Sequence, residues 1–169
     1  RIKSIVWSVN ETKASVAGGF PFTLLAGRDH IYEELCGLRL EVSPSSFLQT
    51  NTAMAGRLYQ KALTYAQPRQ DELVLDLYSG IGSIALLFAR NCREVLGVEI
   101  AGDAVRLAGI NARANGIGNA SFMAGRVRAV LKDMRLETAP GLIILDPPRA
   151  GASKKEVQRI IELNAPRLV

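Results

Sequence analysis

A chain of 169 residues, 48% hydrophobic and 22% charged, can bury a core of its own without disulfides. Its two cysteines, Cys36 and Cys92, form no CxxC and accompany no histidine cluster, which argues against a zinc site or a disulfide scaffold and fits a reducing cytoplasm. The net charge of +5 permits attraction to a polyanion without demanding it; no run reaches the ~18 apolar residues of a membrane span and no leader is read, so a cytoplasmic protein is expected.

Residues 1–50 read as β-rich. Ile5, Trp7 and Val9 alternate, Val16 precedes a Gly18-Gly19 turn, and Phe22–Leu25 and Leu38–Val42 are short strand candidates. His30, in the turn-like Gly27-Arg28-Asp29-His30, reads as a surface residue. From Asn51 the texture becomes helical: Met54, Leu58, Ala62 and Tyr65 recur on one face, Thr52 is the expected N-cap, and Pro68 marks the exit.

Beyond Pro68, strands and helices alternate. Leu73–Leu77 is a continuous apolar strand, followed by a glycine loop and a helix through Ile84, Leu87 and Phe88. Val95–Glu99 is a second strand, and a helix from Asp103 to about Arg113 ends at Asn115-Gly116. Ser121–Met123 is a weak third strand and Gly141–Asp146 a strong fourth. A last helix, opened by the capping box Ser153-Lys154-Lys155-Glu156, carries Val157, Ile160 and Ile161 on one face. Such alternation predicts parallel strands covered by helices on both faces, a doubly wound α/β domain over residues 51–169 behind a β-rich segment over 1–50. The chain starts at Arg1 and stops at Arg167-Leu168-Val169, where a further apolar strand is expected to begin; it reads as a fragment.

Ligands in such a sheet sit beyond the C-terminal ends of the strands. The loop there contains Gly80-Ile81-Gly82-Ser83-Ile84-Ala85, a literal GxGxxA fingerprint, and Glu99 follows Gly80 by 19 residues, in position to take both ribose hydroxyls. That pattern describes a nucleoside site. Asp76, four residues before the first glycine, would repel a pyrophosphate but suits the ammonium and sulfonium of S-adenosyl-L-methionine, directly or through water. A capping role for Asp76, and a nicotinamide or flavin site, stay open as alternatives.

The fourth strand runs into Asp146-Pro147-Pro148-Arg149-Ala150-Gly151. Two prolines stiffen the backbone just past the sheet edge, giving a shelf on which a planar base could be held. Together with Ser43-Pro44-Ser45-Ser46-Phe47-Leu48-Gln49-Thr50-Asn51-Thr52 and the Asp76–Gly82 loop, this stretch resembles the RNA uracil-5 methyltransferases, which act on uridine in 23S ribosomal RNA or transfer RNA. The resemblance runs from about Leu38 to Val169. It implies a truncated Rossmann-like S-adenosylmethionine-dependent methyltransferase fold, in which Gln49, Tyr78, Gly80, Gly82, Glu99 and Asp146 contact the cofactor. The match near Gly125-Arg126 is too loose to carry over.

The resemblance also implies the chemistry. In the family a cysteine thiolate adds to C6 of uracil so that C5 can attack the methyl group, after which a base removes the C5 proton. That cysteine is expected just after Val169, and Cys36 and Cys92 read as packing or surface thiols, so this chain is expected to hold no catalytic residue and to be inactive alone. An RNA-binding barrel and, in many members, an iron–sulfur cluster would precede Arg1. Arg149 and Lys154 are the candidate RNA contacts, with Lys155 and Arg159 nearby; two lysines in a first helical turn oppose the macrodipole, which fits phosphate contact as well as a solvated face. Competing readings are a cytosine-5 methyltransferase, a nicotinamide-dependent oxidoreductase and a non-catalytic RNA-binding module. No protein partner is implied.

Overall fold

The computed structural model describes residues 2–10 and 21–169; Val16 and the Gly18-Gly19 turn lie outside the described residues. The order is β1 (Ser4–Ser8), β2 (Phe22–Gly27), β3 (Ile31–Leu35), β4 (Leu38–Val42), α1 (Thr52–Ala66), β5 (Leu73–Leu77), α2 (Ser83–Ala89), β6 (Glu94–Glu99), α3 (Gly102–Ala114), β7 (Ala120–Ala124), α4 (Val127–Asp133), β8 (Leu142–Leu145) and α5 (Lys154–Glu162). β1–β2 and β3–β4 are antiparallel hairpins, and β7-β6-β5-β8 form a parallel sheet.

The sheet is covered on both faces, as expected of a doubly wound α/β domain. One face packs Val74, Val95 and Ile144 against α1, α2, α3 and the β3–β4 hairpin. The other packs Leu73, Leu75, Leu77 and Ile143 against Val127 and Leu131 of α4 and Ile160 of α5. β5 is buried along its whole length, which is why its sequence is a continuous apolar run rather than an alternating one. Strand order grows from β5 through β6 to β7, then restarts on the other side of β5 with β8. The C-terminal ends of β5 and β8 therefore flank the switch point, where an open α/β sheet leaves a crevice. Leu168 bridges Ile143 in parallel, and Leu145 N–H donates to Val169 O at 2.8 Å, so the expected strand start is present beside β8.

Several local expectations need correction. Asn51, not Thr52, caps α1: its side chain accepts from Met54 N–H at 3.0 Å. The helix buries Ala55, Tyr59 and Ala66, so Met54, Leu58 and Tyr65 lie on its exposed side. In α5 the capping box is formed as predicted, but only Ile160 of the apolar trio is buried. α3 begins at Gly102 behind an Ala101 cap, and β1 ends before Val9. β3 and α4 are additional to the elements the sequence predicts.

Candidate active site

The loop after β5 turns sharply across the end of β6. Tyr78 and Ser79 N–H both donate to Val98 O, at 2.9 and 3.1 Å, and Gly82 N–H closes a turn onto Ser79 O at 2.9 Å. Gly82, with φ of 83°, caps α2; a Cβ there would lie 2.9 Å from the Phe122 ring as well as demanding a left-handed backbone. Gly80, by contrast, faces open space. Tyr78 accepts a left-handed φ of 69° without being glycine, a conformation that the two bonds to Val98 impose locally.

Glu99 joins two loops. Its Oε2 accepts from Gly80 N–H at 3.0 Å and its Oε1 from Ala101 N–H at 2.8 Å. A carboxylate has about four acceptor sites, so each oxygen keeps capacity for a hydroxyl donor. Asp76 is 1% exposed. Strand alternation puts it on the side of Val74, toward α1 and α2. Its Oδ2 and the Ser79 Oγ are buried without a partner among the described residues. Burial pushes the Asp76 carboxyl up to about 8; an Ala85 backbone hydrogen bond opposes this, while the Asp146 and Glu99 charges reinforce it. Three carboxyl groups thus converge on one crevice, Asp76 holding its proton to about pH 8, and no cation offsets them among the groups that shift Asp76.

Tyr59 of α1 completes the wall. Its hydroxyl lies 3.4 Å from Ser83 Oγ, and burial, then the Asp146 and Asp76 charges, push the phenol up against the relief given by Ser83. Gln49 is half-buried in the segment leading to α1, and Asp146 is exposed at the exit of β8. Tyr78 is half-buried; desolvation, then the Glu156 carboxylate, raise its phenol. The Ser153 hydrogen bonds hold Glu156 down despite some burial, with Tyr78 contributing in the same direction. Arg149 and Lys154 are exposed on the loop and helix that follow Asp146.

The structure therefore gathers Tyr78, Gly80, Gly82, Glu99 and Asp146 around the switch point. Tyr59, Ser79 and Ser83 were not singled out from the sequence. Ser79 and Ser83 stood within the glycine loop as a signal, whereas Tyr59 becomes visible only once the buried face of α1 is known. Cys92 is buried with a thiol pushed up to about 11 by desolvation, and Cys36 sits in the β3–β4 turn with its thiol on Gly56 O at 3.6 Å. A groove of about 710 Å³ opens elsewhere, between α1 and the β3–β4 hairpin, along Glu34, Cys36, Arg57 and Lys61; it includes none of the crevice residues. Among the described residues no group of His, Cys, Asp and Glu could hold a metal ion, and no helix is long and apolar enough to cross a membrane.

Comparison with known proteins shows the family and the fold. An uncharacterized RNA methyltransferase of Oceanobacillus iheyensis is 36% identical over all of this chain, and one of Clostridium acetobutylicum is 36% identical over 99% of it. The chain spans little more than a third of their length, 37% and 36% respectively. The tRNA (uracil-54, C5)-methyltransferase of Pyrococcus abyssi, solved in complex with S-adenosyl-L-homocysteine, superposes with a TM-score of 0.73 at 29% identity, over 97% of this chain and 39% of that one. Trm5b of the same organism shares the fold, with a TM-score of 0.71 at 17% identity, over 96% of this chain and 46% of its own. Residues 25–165 match the family described as tRNA (uracil-5-)-methyltransferase, and with that match the chain belongs to this family of RNA methyltransferases.

Proposed function

We propose that this chain carries the S-adenosyl-L-methionine half of an enzyme that methylates C5 of a uridine in RNA. The observation that carries the reading is Asp76: a fully buried carboxyl with one oxygen orphaned, beside an orphaned Ser79 hydroxyl, at a crevice ringed by two further acids. A pyrophosphate would add negative charge to that site. A ligand bearing a cation would supply the missing partner, and the residues present fit such a group.

In this reading Glu99 holds the ribose with the acceptor capacity left after Gly80 and Ala101, and the open face of Gly80 admits the ligand to the backbone. Gly82 keeps the loop low over α2, Tyr78 and Gln49 border the methionine part, and Asp146 orients the transferring end. When bound, the cofactor supplies an electrophilic methyl group on sulfur. Pro147 and Pro148 stiffen the shelf beside it, and Arg149 and Lys154 reach RNA phosphate from an exposed face.

Uracil C5 is a weak nucleophile, so the reaction needs a thiolate that adds to C6 and leaves once a base has taken the C5 proton. Neither cysteine here is suited: Cys92 is buried and its thiol is held protonated, and Cys36 sits in a turn between two strands. We place the nucleophile after Val169 in the enzyme, so the present chain alone binds cofactor and does not methylate. Transfer RNA and 23S ribosomal RNA are both candidate substrates; the family description favours the former.

The test uses the enzyme that carries this segment and RNA tritiated at uracil C5. Methylation at C5 displaces the tritium into water in step with methyl incorporation. Methyl incorporation without tritium release would assign another position, and transfer to cytosine would assign another base.

A further inference from the structure

β4 belongs to a two-stranded sheet, so one of its edges has no strand beside it. That edge is satisfied by the side chains of Asn111 in α3 and of Asn115, which caps the end of that helix. Asn115 Oδ1 accepts from Arg39 N–H at 2.9 Å and its Nδ2 donates to Arg39 O at 2.9 Å. Asn111 Oδ1 accepts from Glu41 N–H at 2.7 Å and its Nδ2 donates to Glu41 O at 3.3 Å. Two amides four residues apart on a helix are separated by about 6 Å along its axis. Two strand residues sharing one edge are about 6.7 Å apart. The match lets a helix face imitate a neighbouring strand.

Asn111 does one thing more. It is fully buried, and its Nδ2 also donates to Ile81 O at 3.2 Å, between Gly80 and Gly82 in the loop of the crevice. One amide therefore fastens that loop to the strand that runs, within eight residues of Glu41, into Gln49. Asn115 grips the same strand but touches no part of the loop; its Nδ2 goes instead to Asn111 O at 2.8 Å. The two asparagines thus share a structural task and differ in one contact.

We infer that Asn111 is a positioning residue that sets the glycine loop and the Gln49 segment against each other, so that cofactor binding depends on it and not on Asn115. The inference rests on the crevice being the S-adenosylmethionine site. Removing the amide frees the Ile81 carbonyl and uncouples the glycine loop from the strand that leads to Gln49, whereas loss of Asn115 loosens the hairpin alone.

The experiment compares Asn111→Ser and Asn115→Ala in this chain, by calorimetric titration with S-adenosylhomocysteine and by amide hydrogen exchange without ligand. Asn111→Ser is expected to weaken binding about tenfold, the equivalent of one or two hydrogen bonds, and to speed exchange in both the 79–83 loop and the 43–50 segment. Asn115→Ala is expected to leave affinity within about twofold and to speed exchange in the hairpin alone. Equal losses of affinity in the two variants, or faster exchange confined to the hairpin in both, would overturn the inference. Should the wild-type chain take no S-adenosylhomocysteine, the cofactor reading fails, and exchange still decides whether Asn111 couples the two segments. Should Asn111→Ser not fold, wild-type protein decides: ligand must slow exchange of the Glu41 amide while leaving that of Arg39 unchanged, and equal slowing overturns the coupling.

Discussion

Asp76 concentrates the chemistry of this molecule in one side chain. Its carboxyl has an ordinary value of 3.8 in an unfolded chain and about 8 in the folded one, so the folded state holds the proton more tightly. Stability from this group is therefore complete below about pH 4, falls as pH rises toward 8, and is level above that. Asp76→Asn should remove that fall, which melting temperatures across pH 5–9 would reveal; an unchanged slope would show that the carboxyl titrates normally. A cation in the crevice reverses the preference, so binding of an ammonium-bearing ligand should release a proton below pH 8 and tighten as pH rises to it. Calorimetry in buffers of different ionisation enthalpy measures that proton. The acid ahead of two glycines was legible in the sequence because its type and spacing are written there, whereas the rise of its pKa comes from burial and shows only in the fold. The partnership of Tyr59 with Ser83 was not, because it arises from which face of a helix becomes buried.

At the scale of elements, the parallel strands were readable because burial on both faces leaves an unbroken apolar run, as in Leu73–Leu77. β3 escaped because Ile31-Tyr32-Glu33-Glu34-Leu35 lies at the surface and buries only Leu35 fully, leaving little alternation to detect. α4 escaped for length: seven residues with Val127 and Leu131 buried make one apolar pair rather than a period. The α5 start was legible, and its capping box is complete at Ser153 N–H to Glu156 Oε2, 2.7 Å, and Glu156 N–H to Ser153 Oγ, 3.3 Å. Ser153→Ala should cost about 1 kcal/mol, read from urea unfolding; no loss would mean that water replaces the cap fully. Gly82→Ala should cost more, about 2 kcal/mol or above, since a left-handed residue and a contact with Phe122 are both disturbed. The same variant should weaken ligand binding by lifting the loop, whereas Ser153→Ala should not.

The molecule as a whole is tied at the N-terminal ends of the strands, opposite the crevice. Arg167 donates to Ala66 O and Gln67 O at the end of α1, to Gly141 O before β8, and to the Glu72 carboxylate before β5. Glu72 is 5% exposed and also accepts from Arg69 N–H at 2.7 Å. Arg167→Ala leaves the buried Glu72 carboxylate with only the longer, more exposed Arg69 guanidinium contact at 3.7 Å, and should destabilise the fold by about 1–2 kcal/mol. Affinity at the crevice should be unaffected while the chain is folded, since the knot and the site lie at opposite ends of the strands. No sequence pattern announced this knot, because its four partners come together only through the parallel topology. The division of labour leaves the crevice free to hold uncompensated acids that the rest of the fold can tolerate.

The most direct test of the account is calorimetric titration of the chain with S-adenosylhomocysteine, with NADH in parallel, in wild type and Glu99→Ala. Saturable binding of S-adenosylhomocysteine that weakens at least tenfold in Glu99→Ala, as expected for loss of charged hydrogen bonds to a ribose, with no binding of NADH, is the predicted result. Binding of NADH instead, or binding of S-adenosylhomocysteine that is indifferent to Glu99, would contradict it.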